Sequence, residues 1–194
     1  LSTYAQKDYT FMLSGASFGV PSNGWFELGC DVFGDIPLNK AVSAQAIMQT
    51  AVAMRKGTFY SKTELDAVDA FIIMHVHEQN VANEQWLKED YNDYDDTAIG
   101  TNYSCAYDFV IKKYKDDCAK LEFDPESKYF GVEGGKPATI ILCTHWHDAR
   151  TTYNAAVRKL ATKWGFPLIK WDENIGFTKA PAGQHQPSMD YSYD

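Results

Sequence analysis

The sequence predicts an α/β domain in which a doubly wound parallel sheet of about five strands lies between two layers of helices. Two observations support this three-layer α/β/α architecture. Short apolar runs without polar alternation, such as those at 70–74 and 138–143, are typical of strands that are buried on both faces. Segments with apolar residues at helical spacing separate these runs, and such alternation favours a parallel sheet covered by helices on both faces.

The predicted strands are short, and each ends where turn-forming or polar residues begin. The first is an apolar and β-branched run that stops at the small residues beginning with Ser14. The third is a continuous apolar run that stops at His75. The five strands are placed near residues 10–13, 36–39, 70–75, 139–144 and 167–171.

Helices are predicted between these strands from apolar spacing and from residues that begin or end a helix. The segments 24–33 and 103–114 both show helical spacing. Ser43 is predicted to cap a helix that runs to about Lys56 and stops at Gly57. The other end signals are a capping-box pair at Ser61 and Glu64, a cap at Thr151 and a stop at Gly165.

Length and composition indicate one soluble domain. The 194 residues, 45% of them hydrophobic, can enclose one sizeable core, with the polar segment at about 80–102 as an excursion or lid. No apolar run approaches the roughly 20 residues that a membrane-spanning helix requires. The net charge of −8 argues against nucleic acid as a partner. The oligomeric state is left open.

The four cysteines show neither a CxxC pair nor zinc-finger spacing, so they are interpreted as buried thiols. Chemistry is expected elsewhere. In open α/β sheets, ligands bind outside the carboxyl ends of the strands. The loops that begin at Ser14, His75 and His145 are therefore the places where functional groups are expected.

The loop after the first strand resembles a known motif. The segment Leu13-Ser-Gly-Ala-Ser-Phe-Gly19 is similar to the Gly-Asp-Ser nucleophile turn of SGNH (GDSL-type) hydrolases, with Ser17 in the serine position. The segment 39–44 resembles the second conserved segment of that superfamily, and Ala44 stands where a glycine supplies an oxyanion-hole amide. The segment 72–78 lies where Gly-x-Asn-Asp follows the third strand, which places His77 at the asparagine and Glu78 at the aspartate.

The chain also departs from the pattern of that superfamily. Ala16 replaces the aspartate of Gly-Asp-Ser. In the final Asp-x-x-His motif, His185 is the candidate for the histidine, while Ala182 occupies the aspartate position. The resemblance therefore indicates a divergent branch of the SGNH superfamily, with the flavodoxin-like α/β/α fold that the superfamily shares.

The resemblance implies a serine esterase that acts on a carbohydrate ester or another small ester, without a cofactor. Ser17 would attack the acyl carbon, and His185 would carry the proton. The amides of Ser17 and Ala44, together with His77, would form the oxyanion hole. The side chains expected to contact substrate are His75, Glu78, His145 and His147. A periplasmic or secreted location is expected from the resemblance.

Two other functions remain open at this point. The alanines at 16, 44 and 182 favour a non-catalytic carbohydrate-binding protein on an SGNH-like scaffold. The pairs His75/His77 and His145/His147 each place two imidazoles on one side of an extended segment, and converging pairs could bind zinc in a metal-dependent hydrolase. We expect hydrogen-bonding or substrate-contacting histidines rather than a tight metal site.

Overall fold

The chain is described by a computed structural model at residues 8–75, 89–92, 94–145 and 151–174. Within these residues, five parallel strands form one sheet in the order β2-β1-β3-β4-β5. The strands are β1 (Thr10–Gly15), β2 (Ile36–Asn39), β3 (Ala70–Met74), β4 (Ile140–Cys143) and β5 (Leu168–Ile169). The predicted parallel α/β sheet is therefore confirmed.

The helices lie between the strands, as the apolar spacing predicts. They are α1 (Trp25–Phe33), α2 (Ile47–Arg55), α3 (Lys62–Ala67), α4 (Tyr103–Lys120), α5 (Thr151–Trp164) and α6 (Trp171–Asn174). Ser61 caps α3, and its hydroxyl accepts a hydrogen bond from the Glu64 amide while the Glu64 carboxylate accepts one from the Ser61 amide. Gly57 and Gly165 follow α2 and α5 with left-handed φ angles of 69° and 67°.

Three predicted boundaries are wrong. Helix α2 begins at Ile47 rather than after Ser43, because the intervening residues form a tight turn. Thr151 is the first residue of α5 and not its cap. The fifth strand ends at Ile169, since Trp171 already begins α6.

Two apolar cores lie on opposite faces of the sheet. Alternate strand residues divide between them: Met12 and Ile73 pack on one face against α2, α4 and α5, whereas Leu13 and Ile72 pack on the other face with α1. This division follows from the two-residue side-chain period of a strand. It places Ser14, which has the parity of Met12, on the side of α2.

The order of the strands determines where a ligand site would lie. Strand β1 pairs with β2 on one side and with β3 on the other, and the later strands are added beyond β3. The topological switch point, where the direction of strand addition reverses, therefore lies between β1 and β3. In open α/β sheets, a crevice that can bind a ligand opens at such a point, beyond the carboxyl ends of the strands. Among the described residues, no helix is long and apolar enough to cross a membrane.

Candidate active site

Ser17 lies on a sharp turn that leaves the end of β1. Ala16 is extended and buried, and a short 3₁₀ turn (Ser17–Gly19) follows, in which the Gly19 amide donates to the Ala16 carbonyl at 2.9 Å. Ser17 itself is half-buried. Gly15 makes this exit possible, because a Cβ there would lie 3.0 Å from the Met74 carbonyl oxygen and 3.4 Å from the Ala41 Cβ.

A second turn lies beside the first. The Val42 amide donates to the Gly15 carbonyl at 3.1 Å, and the Gln45 amide closes the turn on the Val42 carbonyl at 3.2 Å. Ala44, the third residue of this turn, is exposed and has a φ of 61°. That left-handed conformation is the one that turns of type II require at this position, and it normally selects glycine. Ala44, at the predicted glycine position, thus has the backbone conformation that is typical of glycine.

Asn39 fixes the two turns to each other. Its Nδ2 donates to the Gly19 carbonyl at 2.6 Å, and its Oδ1 accepts the Ala41 amide at 2.9 Å. The same Nδ2 also donates to the Glu27 carboxylate on α1. These contacts bring the Ser17 turn and the Ala44 turn together at the carboxyl end of β1.

Each turn contains a backbone amide that has no hydrogen-bond acceptor among the described residues. Within the described part of the chain, neither the Ser17 amide nor the Ala44 amide donates a hydrogen bond. Unpaired amides near a serine hydroxyl are the groups that can stabilise the oxyanion of an acyl-transfer transition state. The Ser17 hydroxyl likewise makes no hydrogen bond to any described residue.

His75 follows β3 and points into the domain. It is 1% exposed, and its Nε2 lies 2.7 Å from the Ser14 hydroxyl and 3.4 Å from the Thr50 hydroxyl. Burial lowers the pKa of His75 to about 3, opposed by the nearby Gln45 backbone carbonyl, so the ring is neutral at physiological pH. This interior position favours a positioning role over the predicted contact with substrate.

His145 follows β4 and approaches the Ser17 turn. Its ring meets the Phe18 ring edge-on, with centroids 5.2 Å apart, and the residue is 2% exposed. Asn154, in the first turns of α5, holds the His145 backbone: its Oδ1 accepts the amide at 2.8 Å and its Nδ2 donates to the carbonyl at 2.7 Å. His145, the last described residue after β4, is therefore held beside the Ser17 turn.

Four predicted site residues lie outside the described residues: His77, Glu78, His147 and His185. Their roles in the oxyanion hole, in substrate contact and in proton transfer remain predictions. Among the residues that the structure does describe, no group of three or more His, Cys, Asp or Glu side chains could hold a metal ion.

Sequence reasoning missed three buried polar residues that organise this region, namely Ser14, Thr50 and Asn154. Each stands among apolar neighbours on its strand or helix, and each is at most 5% exposed. A polar residue at a core-facing position is a signal for a buried hydrogen bond. The identity of its partner is not visible in the sequence, because Ser14 and His75 are 61 positions apart.

Comparison with known proteins identifies the family. A family model described as "Domain of unknown function (DUF5040)" matches residues 8–191. The chain belongs to the DUF5040 family. No curated protein matches this DUF5040 domain significantly. A solved structure similar to it is a "putative GDSL-like lipase" from Parabacteroides merdae, with 14% identity and a TM-score of 0.46. The match covers 85% of this chain and 78% of that chain.

Proposed function

We propose that this DUF5040 domain is an SGNH-type serine esterase that transfers an acyl group from a carbohydrate or another small alcohol to water. The observation that carries the proposal is the pairing of two turns at the end of β1. One turn presents the Ser17 hydroxyl, and the other presents the Ala44 amide in a glycine-like conformation. Both amides are without acceptors among the described residues.

In the proposed reaction, Ser17 Oγ attacks the ester carbonyl carbon, and the carbonyl oxygen becomes an oxyanion. The amides of Ser17 and Ala44 donate to it, and His77 adds a third donor. His185 accepts the serine proton and passes it to the departing alcohol. Water then attacks the acyl-serine, gives its proton to His185 and releases the acid, and the serine is restored. The parts assigned to His77 and His185 rest on the motif resemblance.

The surroundings of the serine support an ester rather than a more stable bond. Ala16 stands in place of the superfamily's aspartate and is 3% exposed, so it adds no charge to the turn. An activated acyl group needs the least stabilisation of its transition state, so it suits a site without that charge. A periplasmic or secreted enzyme acting on acylated sugars fits this proposal.

One observation favours a second candidate, a carbohydrate-binding protein without turnover. The described residues supply no base for the Ser17 hydroxyl, and Ala182 replaces the aspartate that would orient a histidine at 185. A cleft with this loop arrangement would then bind the ester without cleaving it.

The nucleophile is tested with Ser17→Ala. The variant removes only Oγ from a half-buried turn, so it should fold normally while turnover of an aryl acetate and of acetylated sugars falls by about 10³-fold or more. The matched control is Ser22→Ala, an exposed serine whose hydroxyl bonds the Val20 carbonyl, and it should retain wild-type kcat. Both variants are checked by circular dichroism and thermal unfolding.

Two results would redirect the assignment. Wild-type turnover in Ser17→Ala would show that another group is the nucleophile. A wild-type protein that hydrolyses none of these esters but binds an acetylated sugar in calorimetry would replace the esterase with the binding protein.

A further inference from the structure

We propose that His75 is a positioning residue that holds the Ala44 turn in register with the Ser17 turn. Its expected effect on turnover rests on the proposed esterase function, whereas its effect on the turn itself does not. The two turns come from different strands, and the catalytic arrangement needs both amides aimed at one point. His75 follows β3, which pairs with β1, and α2 begins just after the Ala44 turn.

The contacts of His75 reach each of these elements. Nε2 lies 2.7 Å from the hydroxyl of Ser14, which sits on β1 three residues before Ser17. The Ser14 hydroxyl in turn lies 2.9 Å from that of Thr50, on the first turn of α2. Thr50 Oγ1 also lies 3.4 Å from Nε2 itself. One ring therefore connects the ends of β1 and β3 to α2, the helix that begins just after the Ala44 turn.

The hydroxyls of Ser14 and Thr50 meet at one nitrogen of the buried imidazole. His75 Nε2 lies within hydrogen-bond distance of both hydroxyls, whereas Nδ1 is buried without a hydrogen-bond partner. The contacts at Nε2 therefore tie the end of β3 to β1 and to α2. Buried polar contacts of this kind keep their members in one geometry.

Neither alternative role for His75 fits its surroundings. Ser14 is 0% exposed, so it cannot reach a substrate as a nucleophile with His75 as its base. His75 is 1% exposed, so contact with substrate would require the network to open. Thr50, the third member, is 4% exposed. A buried polar cluster that joins the end of β1 to α2 is suited to fixing the two turns that adjoin these elements.

The test replaces the polar atoms and keeps the volume. His75→Phe should lower kcat for an activated ester by about 10–10²-fold with KM changed less than about twofold, because a displaced amide weakens transition-state contacts. His75→Gln, which can still form a hydrogen bond with the Ser14 hydroxyl, should recover part of kcat. Ser14→Ala, which leaves the imidazole in place, should show the same loss if His75→Phe does not fold.

A matched control separates positioning from simple destabilisation. Ile140→Val alters a residue of β4 that is 1% exposed and lies in the core on the same face. It should lower the melting temperature without changing kcat. The rescue by His75→Gln and the unchanged KM are results that a purely structural role would not produce.

Hydrogen exchange at the amides of residues 43–46 gives a readout that needs no activity. In His75→Phe and Ser14→Ala these amides should exchange at least about tenfold faster than expected from the change in global stability. An inactive wild type would overturn the esterase, yet faster exchange would still support the positioning role. An unchanged exchange rate in a folded His75→Phe, or wild-type kcat in that variant of an active enzyme, would overturn the inference.

Discussion

At the scale of single residues, the backbone of the candidate site is strained at Ala44. A left-handed backbone costs a non-glycine residue roughly 1–2 kcal/mol, because its Cβ approaches the following carbonyl oxygen. Ala44 holds a φ of 61° because the Val42 and Gln45 hydrogen bonds on either side impose the turn. Strain kept at a site where an amide is presented is typical of a functional constraint.

Ala44→Gly should therefore stabilise the protein. Relief of the strain is offset in part by the greater entropy of glycine in the unfolded chain, about 0.4–1 kcal/mol, which leaves a gain of about 1 kcal/mol or less. A gain of that size raises Tm by up to about 2–4 °C, measurable by calorimetry or urea unfolding. The control Ala53→Gly, inside helix α2, should lower stability by about 1 kcal/mol. Equal destabilisation by both changes would contradict the strain at Ala44.

At the scale of elements, a group of hydrogen-bonded side chains joins the last strands to their helices. This group, called the clasp below, consists of Thr144, Arg158, Asp172 and Glu173. Asp172, on α6, accepts from the Thr144 hydroxyl at 2.7 Å and from Arg158 Nη2 on α5 at 2.7 Å and 2.9 Å. Arg158 also bonds Glu173 at 2.7 Å. Strand β5 is only two residues long, so few backbone hydrogen bonds can join it to β4. The side-chain contacts of the clasp therefore help to hold the end of the described chain against β4.

The stabilisation that the clasp provides should be lost at acid pH. Burial raises the pKa of Asp172, but the hydrogen bonds from Thr144 and Arg158 outweigh it and hold the pKa below its ordinary value. A carboxylate with a depressed folded pKa stabilises the protein above its unfolded pKa of about 3.9, and that contribution is lost as the pH falls through the folded pKa. Asp172→Asn should thus cost about 2 kcal/mol at pH 7, and the difference from wild type should diminish as the pH falls below about 4 and through the depressed folded pKa.

The neighbouring Glu173 provides the control for this clasp. Its side chain is 49% exposed although it bonds the same arginine, so Glu173→Gln should change stability by less than about 1 kcal/mol. Urea unfolding of both variants across the acid range measures the effect. A pH-independent loss in Asp172→Asn would show that the cost comes from packing rather than from the charge.

At the scale of the whole molecule, the two cores on opposite faces of the sheet include three of the four cysteines: Cys30, Cys118 and Cys143. All four cysteines are free and buried, which confirms the interpretation from their spacing. Cys118 lies in the core beside α2, α4 and α5, and Cys143 lies in the core beside α1. Burial raises the pKa of Cys118 to about 11 and that of Cys143 to about 12, against weaker opposing contacts from Lys136 and Trp171 respectively.

These two thiols should report unfolding of the whole domain. Both are 0% exposed, and only a thiolate attacks a disulfide reagent, so native labelling should be more than about 10³-fold slower than labelling in denaturant. Mass mapping after timed exposure to a thiol reagent gives each rate separately. Equal rates for the two thiols would indicate one cooperative unit, and rapid labelling of Cys143 with protected Cys118 would indicate local opening near β5.

The sequence by itself determined the architecture and the location of the serine turn. Apolar runs bounded by turn residues, separated by helical spacing, are local patterns, and only a parallel sheet buries all of them. Ser17 and Ala44 were located by the resemblance of two short segments to those of SGNH hydrolases, because a strand exit and a turn involve only a few consecutive residues. The helix start near Ser43 was misplaced because a turn competes with a cap for the same residue types.

Only the tertiary structure decided what surrounds those turns. Ser14, Thr50 and His75 are separated by 25 to 61 positions, and no local pattern specifies that their side chains meet. The direction of the His75 side chain depends on which face of the sheet α2 covers, so its burial could not be predicted from the residues around it. Asn154 likewise becomes the support of His145 only once α5 packs beside β4. Side-chain contacts between distant segments arise from packing, and packing is a property of the folded chain as a whole.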